Sequence, residues 1–141
     1  PYVSLMQPEK LLNKPNMLLE QEETDTTKKT VVFDFDGVIH SYVSGWKGID
    51  AVPDAPNRDV VKAIGALRAD GYEIIVVSTR CGDPAGERAV IEYLDRHGVI
   101  VDGVSATKPP ALVYVDDRAV CYRPGMALVE TIKSFQPWRA K

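Results

Sequence analysis

The chain has 141 residues, 45% of them hydrophobic and 26% charged, with a net charge of −3 and a pI near 5.4. That length holds one hydrophobic core and one domain, and the acidic balance excludes a basic field that draws nucleic acid by bulk electrostatics, although not a local basic patch. No apolar run approaches the roughly 18 residues a membrane span needs, and Cys81 and Cys121 are too few for a disulfide scaffold and read as free thiols of a reducing cytoplasm.

Residues 1–29 read as a polar leader. Pro8 and Pro15 interrupt any helix, and Glu20 to Lys29 is almost wholly polar. The leader lacks the basic-then-apolar order of a signal peptide. It is expected to be flexible, or to act as an arm docking its Leu11-Leu12 and Leu18-Leu19 pairs. The domain proper is expected to span residues 30–141.

Thr30 to Phe35 reads as a buried strand, Val-Val-Phe-Asp-Phe after the threonine. Residues 39–55 form a loop or small hairpin rich in glycine and aromatics. Val60, Val61, Ile64 and Leu67 recur at helical spacing, which predicts a helix from Pro56 to Asp70 stopped by Gly71. Glu73 to Ser78 is a second buried strand, and Pro84 to His97 a second helix ending at Gly98. Val99 to Val104 is a weaker strand, and Leu112 to Val115 a fourth, running into Asp116-Asp117. Arg118 to Tyr122 is a candidate short fifth, and Met126 to Phe135 a closing helix. Alternating strands and helices predict an α/β domain with a mostly parallel sheet.

Polar residues gather where these strands end. Asp34 and Asp36 close the first, Ser78-Thr79-Arg80 the second and Asp116-Asp117 the fourth, with Lys108 just before it. Ligands of open parallel sheets bind outside the carboxyl ends of the strands, so these groups are expected to share one crevice. Residues i and i+2 of a strand point the same way, which predicts crowding between Asp34 and Asp36. Crowded carboxylates call for a proton or a hard cation such as Mg²⁺. Each element also has a plain structural reading: Asp-Gly and Asp-Asp turns, Ser78 and Thr79 as caps, and Lys108 as an exposed lysine.

Asp34-Phe-Asp36-Gly37-Val38, then Ser78 after an apolar strand, then Lys108, then Val-Tyr-Val-Asp116-Asp117 resemble the four ordered motifs of the haloacid dehalogenase superfamily. The resemblance covers residues 30 to about 135. It implies a Rossmann-like three-layer sandwich, Mg²⁺, and phosphoryl transfer through an aspartyl-phosphate. By position, Asp34 is the implied nucleophile and Asp36 the general acid and then base, its carbonyl touching the metal. Ser78 is implied to bond the phosphoryl group, Lys108 to neutralise nucleophile and phosphate, and Asp116 with Asp117 to complete the metal site. Gly37, Thr79, Arg80 and Trp46 are candidate substrate contacts. Gaps between the motifs are short, so the resemblance is to capless phosphatases of bacteria and phages, and to the phosphatase domain of polynucleotide kinases. Val38-Ile39 departs from the Thr-Leu of many members.

An open site of this kind suits a bulky phosphate monoester, a small molecule or a nucleic-acid end, and is compatible with a second subunit as cover. The Gly45-Trp46-Lys47-Gly48 tip reads either as a flap or as a surface hairpin. Arg80 reads either as a phosphate contact or as the partner of a carboxylate. His40 is expected in the loop and not on a metal, and His97 at a helix end where a cation is favoured. A receiver-like signalling domain places its acidic pair and phosphoacceptor differently and fits poorly. A non-catalytic phosphate-binding module on the same fold is the remaining alternative.

Overall fold

The computed structural model describes residues 2–4 and 29–139. Among the described residues five strands form one sheet in the order β1-β4-β3-β2-β5. They are β1 Tyr2–Ser4, β2 Thr30–Asp34, β3 Glu73–Val77, β4 Gly103–Ser105 and β5 Val113–Val115. Strands β2 to β5 run parallel, and β1 joins β4 antiparallel at one edge. Helices α1 Arg58–Ala69, α2 Pro84–Arg96 and α3 Leu128–Lys133 complete an α/β fold.

Alternation along the strands sorts the core. Val31, Phe33, Ile74, Val76 and Val104 share one face and join Ile64 of α1 and Val90, Tyr93 and Leu94 of α2 in one buried cluster. Val32 and Ile75 point to the opposite face and are buried there, outside that cluster. The central strands are therefore dry on both faces, which is why their sequence is continuous Val and Ile. An Arg68–Asp102 ion pair of 3.0 Å ties the end of α1 to the approach to β4, with Asp102 also accepting from the Ile74 N–H.

Local chemistry sets the helix ends. Asp83 caps α2 by accepting from the Ala85 N–H at 2.8 Å, and Pro84 opens the first turn, where its missing N–H costs nothing. Gly86 is needed there because a Cβ would run into the backbone carbonyl of Arg80. Asn57 precedes α1 without capping it; its amide donates instead to the Val38 carbonyl at 2.7 Å, fastening the helix start under the site.

The structure departs from expectation in several places. Residues 2–4 of the leader form an edge strand; Leu11-Leu12, Leu18-Leu19 and the polar run to Lys28 lie outside the described residues. Val99 and Val101 are buried in chain without regular secondary structure, and only Gly103–Ser105 pairs as a strand. No strand forms over 118–122: the Asp116 side chain accepts from the Arg118 N–H at 2.8 Å and turns the chain out of the sheet. The loop 39–55 carries only isolated bridges. Among the described residues no helix is long and apolar enough to cross a membrane.

Candidate active site

Strand register brings the carboxylates together. Phe33 of β2 pairs with Val115 of β5, so Asp34 and Asp116, the next residues, leave the sheet side by side. Asp34, Asp116 and Asp117 offer ligand oxygens within 4.8 Å of one another. Both Asp117 oxygens are buried without a hydrogen-bond partner, an arrangement that costs stability unless a proton or cation joins it. Burial, reinforced by Asp116 and Asp117, pushes the Asp34 carboxyl up to about 8. Gly37 makes the cluster sterically feasible. It sits at φ +89°, and a Cβ on it would overlap the Asp117 carboxylate. Its backbone is also engaged, the N–H with the His40 carbonyl and the carbonyl with Trp138 Nε1 at 2.6 Å. Gly37 therefore serves clearance and turning.

Asp36 does not crowd Asp34. The strand ends at Asp34, so the i, i+2 rule stops short of it, and Asp36 turns toward a second cluster. Arg80 Nε donates to Asp36 Oδ2 at 2.8 Å and its Nη2 to Oδ1 at 3.2 Å. His40 Nδ1 meets Oδ1 at 2.8 Å. Burial opposes the Asp36 charge, but the hydrogen bonds from His40 and Arg80 overcome it and hold the carboxyl below its ordinary range. The Asp54 backbone N–H donates to His40 Nε2 at 3.1 Å, which fixes the tautomer with its proton on Nδ1.

Arg80 follows the carboxylate reading. Its side chain is 0% exposed, paired with Asp36, and its Nη1 donates to the Gly48 and Ile49 carbonyls, each at 2.8 Å. The guanidinium faces no solvent and holds a carboxylate, which is the other of its two readings. Trp46, 54% exposed, lies over it at 4.6 Å. Ser78 is buried and caps the 3-10 turn Thr79–Gly82 by accepting from the Arg80 N–H; Thr79 is exposed on that turn. Lys108 is exposed and stands over the Tyr114 ring at 4.0 Å, where it forms no ion pair with Asp34. His40 lies in the loop as expected, but fully buried.

Two outlying groups stand where they were expected. His97 sits at the α2 end, where burial, and after it the charges of Arg96 and Arg58, lower its pKa and disfavour the cation. Cys81 and Cys121 are both unpaired, and burial raises the Cys81 thiol to about 11.

Beside the acidic cluster lies a cavity of about 400 Å³ bounded by Gly37, Asn57, Asp59, Asp116, Asp117 and Trp138. Trp138 and Arg139, which stacks on Tyr42 at 4.4 Å, bring the carboxyl-terminal segment to this loop. No sequence signal marked Trp138, and the aromatic chain His40–Tyr42 is visible only in three dimensions. The donor set of three carboxylates, with two orphaned buried oxygens, suits a hard divalent cation bound by oxygen. Comparison with family models, curated proteins and solved structures gave no match.

Proposed function

We propose that the chain is a Mg²⁺-dependent phosphohydrolase of the haloacid dehalogenase type, cleaving a phosphate monoester through an aspartyl-phosphate on Asp34. The observation that carries the reading is the cluster of Asp34, Asp116 and Asp117 at the level ends of β2 and β5. Asp34, Asp116 and Asp117 would hold the Mg²⁺, which would offset their repulsion and the charge of the phosphate.

In this reading an Asp34 oxygen attacks phosphorus, the bond to the leaving oxygen breaks with its electron pair, and that oxygen takes a proton. Water then cleaves the acyl phosphate, releasing orthophosphate and returning the Asp34 carboxylate. Asp36 is the proposed proton carrier for both halves. To serve, it must exchange His40 and Arg80, which hold its charge, for the reacting oxygen. Ser78 and Lys108 belong to the proposal through the resemblance alone, with Lys108 swinging from Tyr114 to the phosphate. A three-layer Rossmann-like arrangement, a cytoplasmic setting and a capless site for a bulky phosphate are parts of the same reading.

A second reading, a non-catalytic phosphate-binding module, is favoured by the engaged Asp36 and the outlying Lys108. Release of aryl alcohol from a generic aryl phosphate separates the two. Wild type is expected to turn over only with Mg²⁺, and Asp34→Asn not at all. Absence of metal-dependent turnover across a broad phosphate panel would sink the enzyme reading.

A further inference from the structure

The Asp36 carboxylate is held by two residues whose other arms hold the 41–55 loop. Arg80 bonds both Asp36 oxygens and, on its far side, the Gly48 and Ile49 carbonyls. His40 bonds Asp36 through Nδ1 and accepts the Asp54 N–H through Nε2. Asp54 in turn binds Ser44, by its N–H at 2.9 Å and its hydroxyl at 2.5 Å, and its carbonyl accepts the Tyr93 hydroxyl at 2.8 Å. One carboxylate is thus the anchor for the middle of the loop through Arg80 and for its end through His40. Arg80 and His40 are both 0% exposed, so neither strut is replaced by water when it breaks, and breaking one leaves a buried polar group unpaired. Trp46 seals the Arg80 strut from outside by stacking on the guanidinium.

We infer that Arg80 and His40 are positioning residues that lock the 41–55 loop to the Asp36 carboxylate, so that loop and carboxylate change place together. Loss of Asp36 from this anchor loosens a loop whose own residues are untouched. A fork of five donors is required, because a lysine at position 80 can supply charge but not both the carboxylate and the two carbonyls at once. Only the catalytic consequence rests on the phosphohydrolase reading: Asp36 reaches a leaving oxygen when the loop lets go. The coupling itself is read without substrate.

Hydrogen–deuterium exchange and acrylamide quenching of Trp46 emission, the latter in a Trp138→Phe background, test it on the full chain. Asp36→Asn and Arg80→Lys are each expected to speed exchange over residues 43–52 by at least about tenfold, the worth of one lost buried hydrogen bond. Exchange in β3 and α2 is expected to stay unchanged, and Trp46 to become more quenchable. His40→Asn, whose amide can replace Nδ1 but not Nε2, is expected to loosen residues 52–55 alone, and it carries the test should the other variants not fold. A folded variant with an unaltered loop, or faster exchange spread evenly through the chain, overturns the coupling. With the aryl phosphate and Mg²⁺, Arg80→Lys, which eases release of Asp36, is expected to raise kcat severalfold and leave KM within about twofold, the mark of a group acting after binding. A change confined to KM also overturns it. No turnover in the wild type, with the loop response intact, refutes the phosphohydrolase reading and not the coupling.

Discussion

Asp117→Asn isolates the strain in the acidic cluster, because asparagine keeps the shape of the side chain and removes its charge. The ligand oxygens of the three aspartates lie within 4.8 Å, a separation at which two unit charges repel by about 3.5 kcal/mol at an effective dielectric of about 20. Two facts reduce the relief available. Asp116 is exposed to water, and Asp34 is already largely protonated at neutral pH, with its carboxyl raised to about 8. About 1–2 kcal/mol of stabilisation is left for the variant without divalent ions. At about 4 °C per kcal/mol for a chain of this size, it should melt about 4–8 °C above wild type in EDTA.

Excess Mg²⁺ should shrink or reverse that difference. Wild type gains the full binding energy of three carboxylates, whereas the variant keeps two carboxylates and a weaker amide oxygen. Thermal unfolding followed by fluorescence, with EDTA and then with Mg²⁺, reads both numbers. If Asp117→Asn melts below wild type in EDTA, the carboxylate is satisfied in the native protein and the argument from strain is wrong. An equal Mg²⁺ shift in the two proteins removes Asp117 from the cation site.

Other perturbations probe neighbouring parts of the same design. The raised Asp34 carboxyl means the native state binds its proton more tightly than the unfolded chain does. The resulting stability is complete below the ordinary value of 3.8 and is lost as pH rises to about 8, so in EDTA the Tm contribution of this group should fall across that window; Asp34→Asn should flatten the slope, and an unchanged slope refutes the assignment. Gly37→Ala pushes a methyl into the Asp117 carboxylate at a positive φ and should cost about 2 kcal/mol in urea unfolding while abolishing the Mg²⁺ shift. Arg80→Met leaves Asp36 buried without its main partner and should cost about 3–5 kcal/mol. Adding Asp36→Leu should recover much of that loss, since an apolar pair then fills the space, and a double variant no more stable than the single one argues against the ion pair as the cause.

The parallel core was legible because its signal is local. Val31 to Phe33 and Ile74 to Val76 are continuous apolar runs, and Asp83-Pro84 states a helix start in its own chemistry. The coming together of Asp34 and Asp116-Asp117 was also legible, since strand ends in a parallel sheet face one crevice. The partnership of Asp36 was not. Periodicity places a residue relative to its own strand, and that strand stops at Asp34; where Asp36 goes is decided by Arg80, 44 positions away in sequence. Arg80 itself gave an ambiguous signal because one guanidinium suits a phosphate and a carboxylate equally well. The short edge strand at Tyr2–Ser4 went unread for a different reason: three residues carry no period, and pairing with β4 is a tertiary fact.

The two aspartates that open the site are driven in opposite directions by their surroundings, and this ordering constrains any chemistry they perform. Burial and two like charges keep the proton on Asp34 to about pH 8, whereas His40 and Arg80 keep Asp36 ionised. Two carboxylates with separated proton affinities are the usual sign of divided acid and base roles. Here, however, the nucleophile of the proposed reaction is the protonated one, and its proton donor the anion. The metal-free protein is therefore poised the wrong way round for the first step. Positive charge beside Asp34 corrects one half, and release of Asp36 from Arg80 corrects the other. Activity should then require both changes, and a variant that frees Asp36 without a cation should bind phosphate esters no better and turn over none.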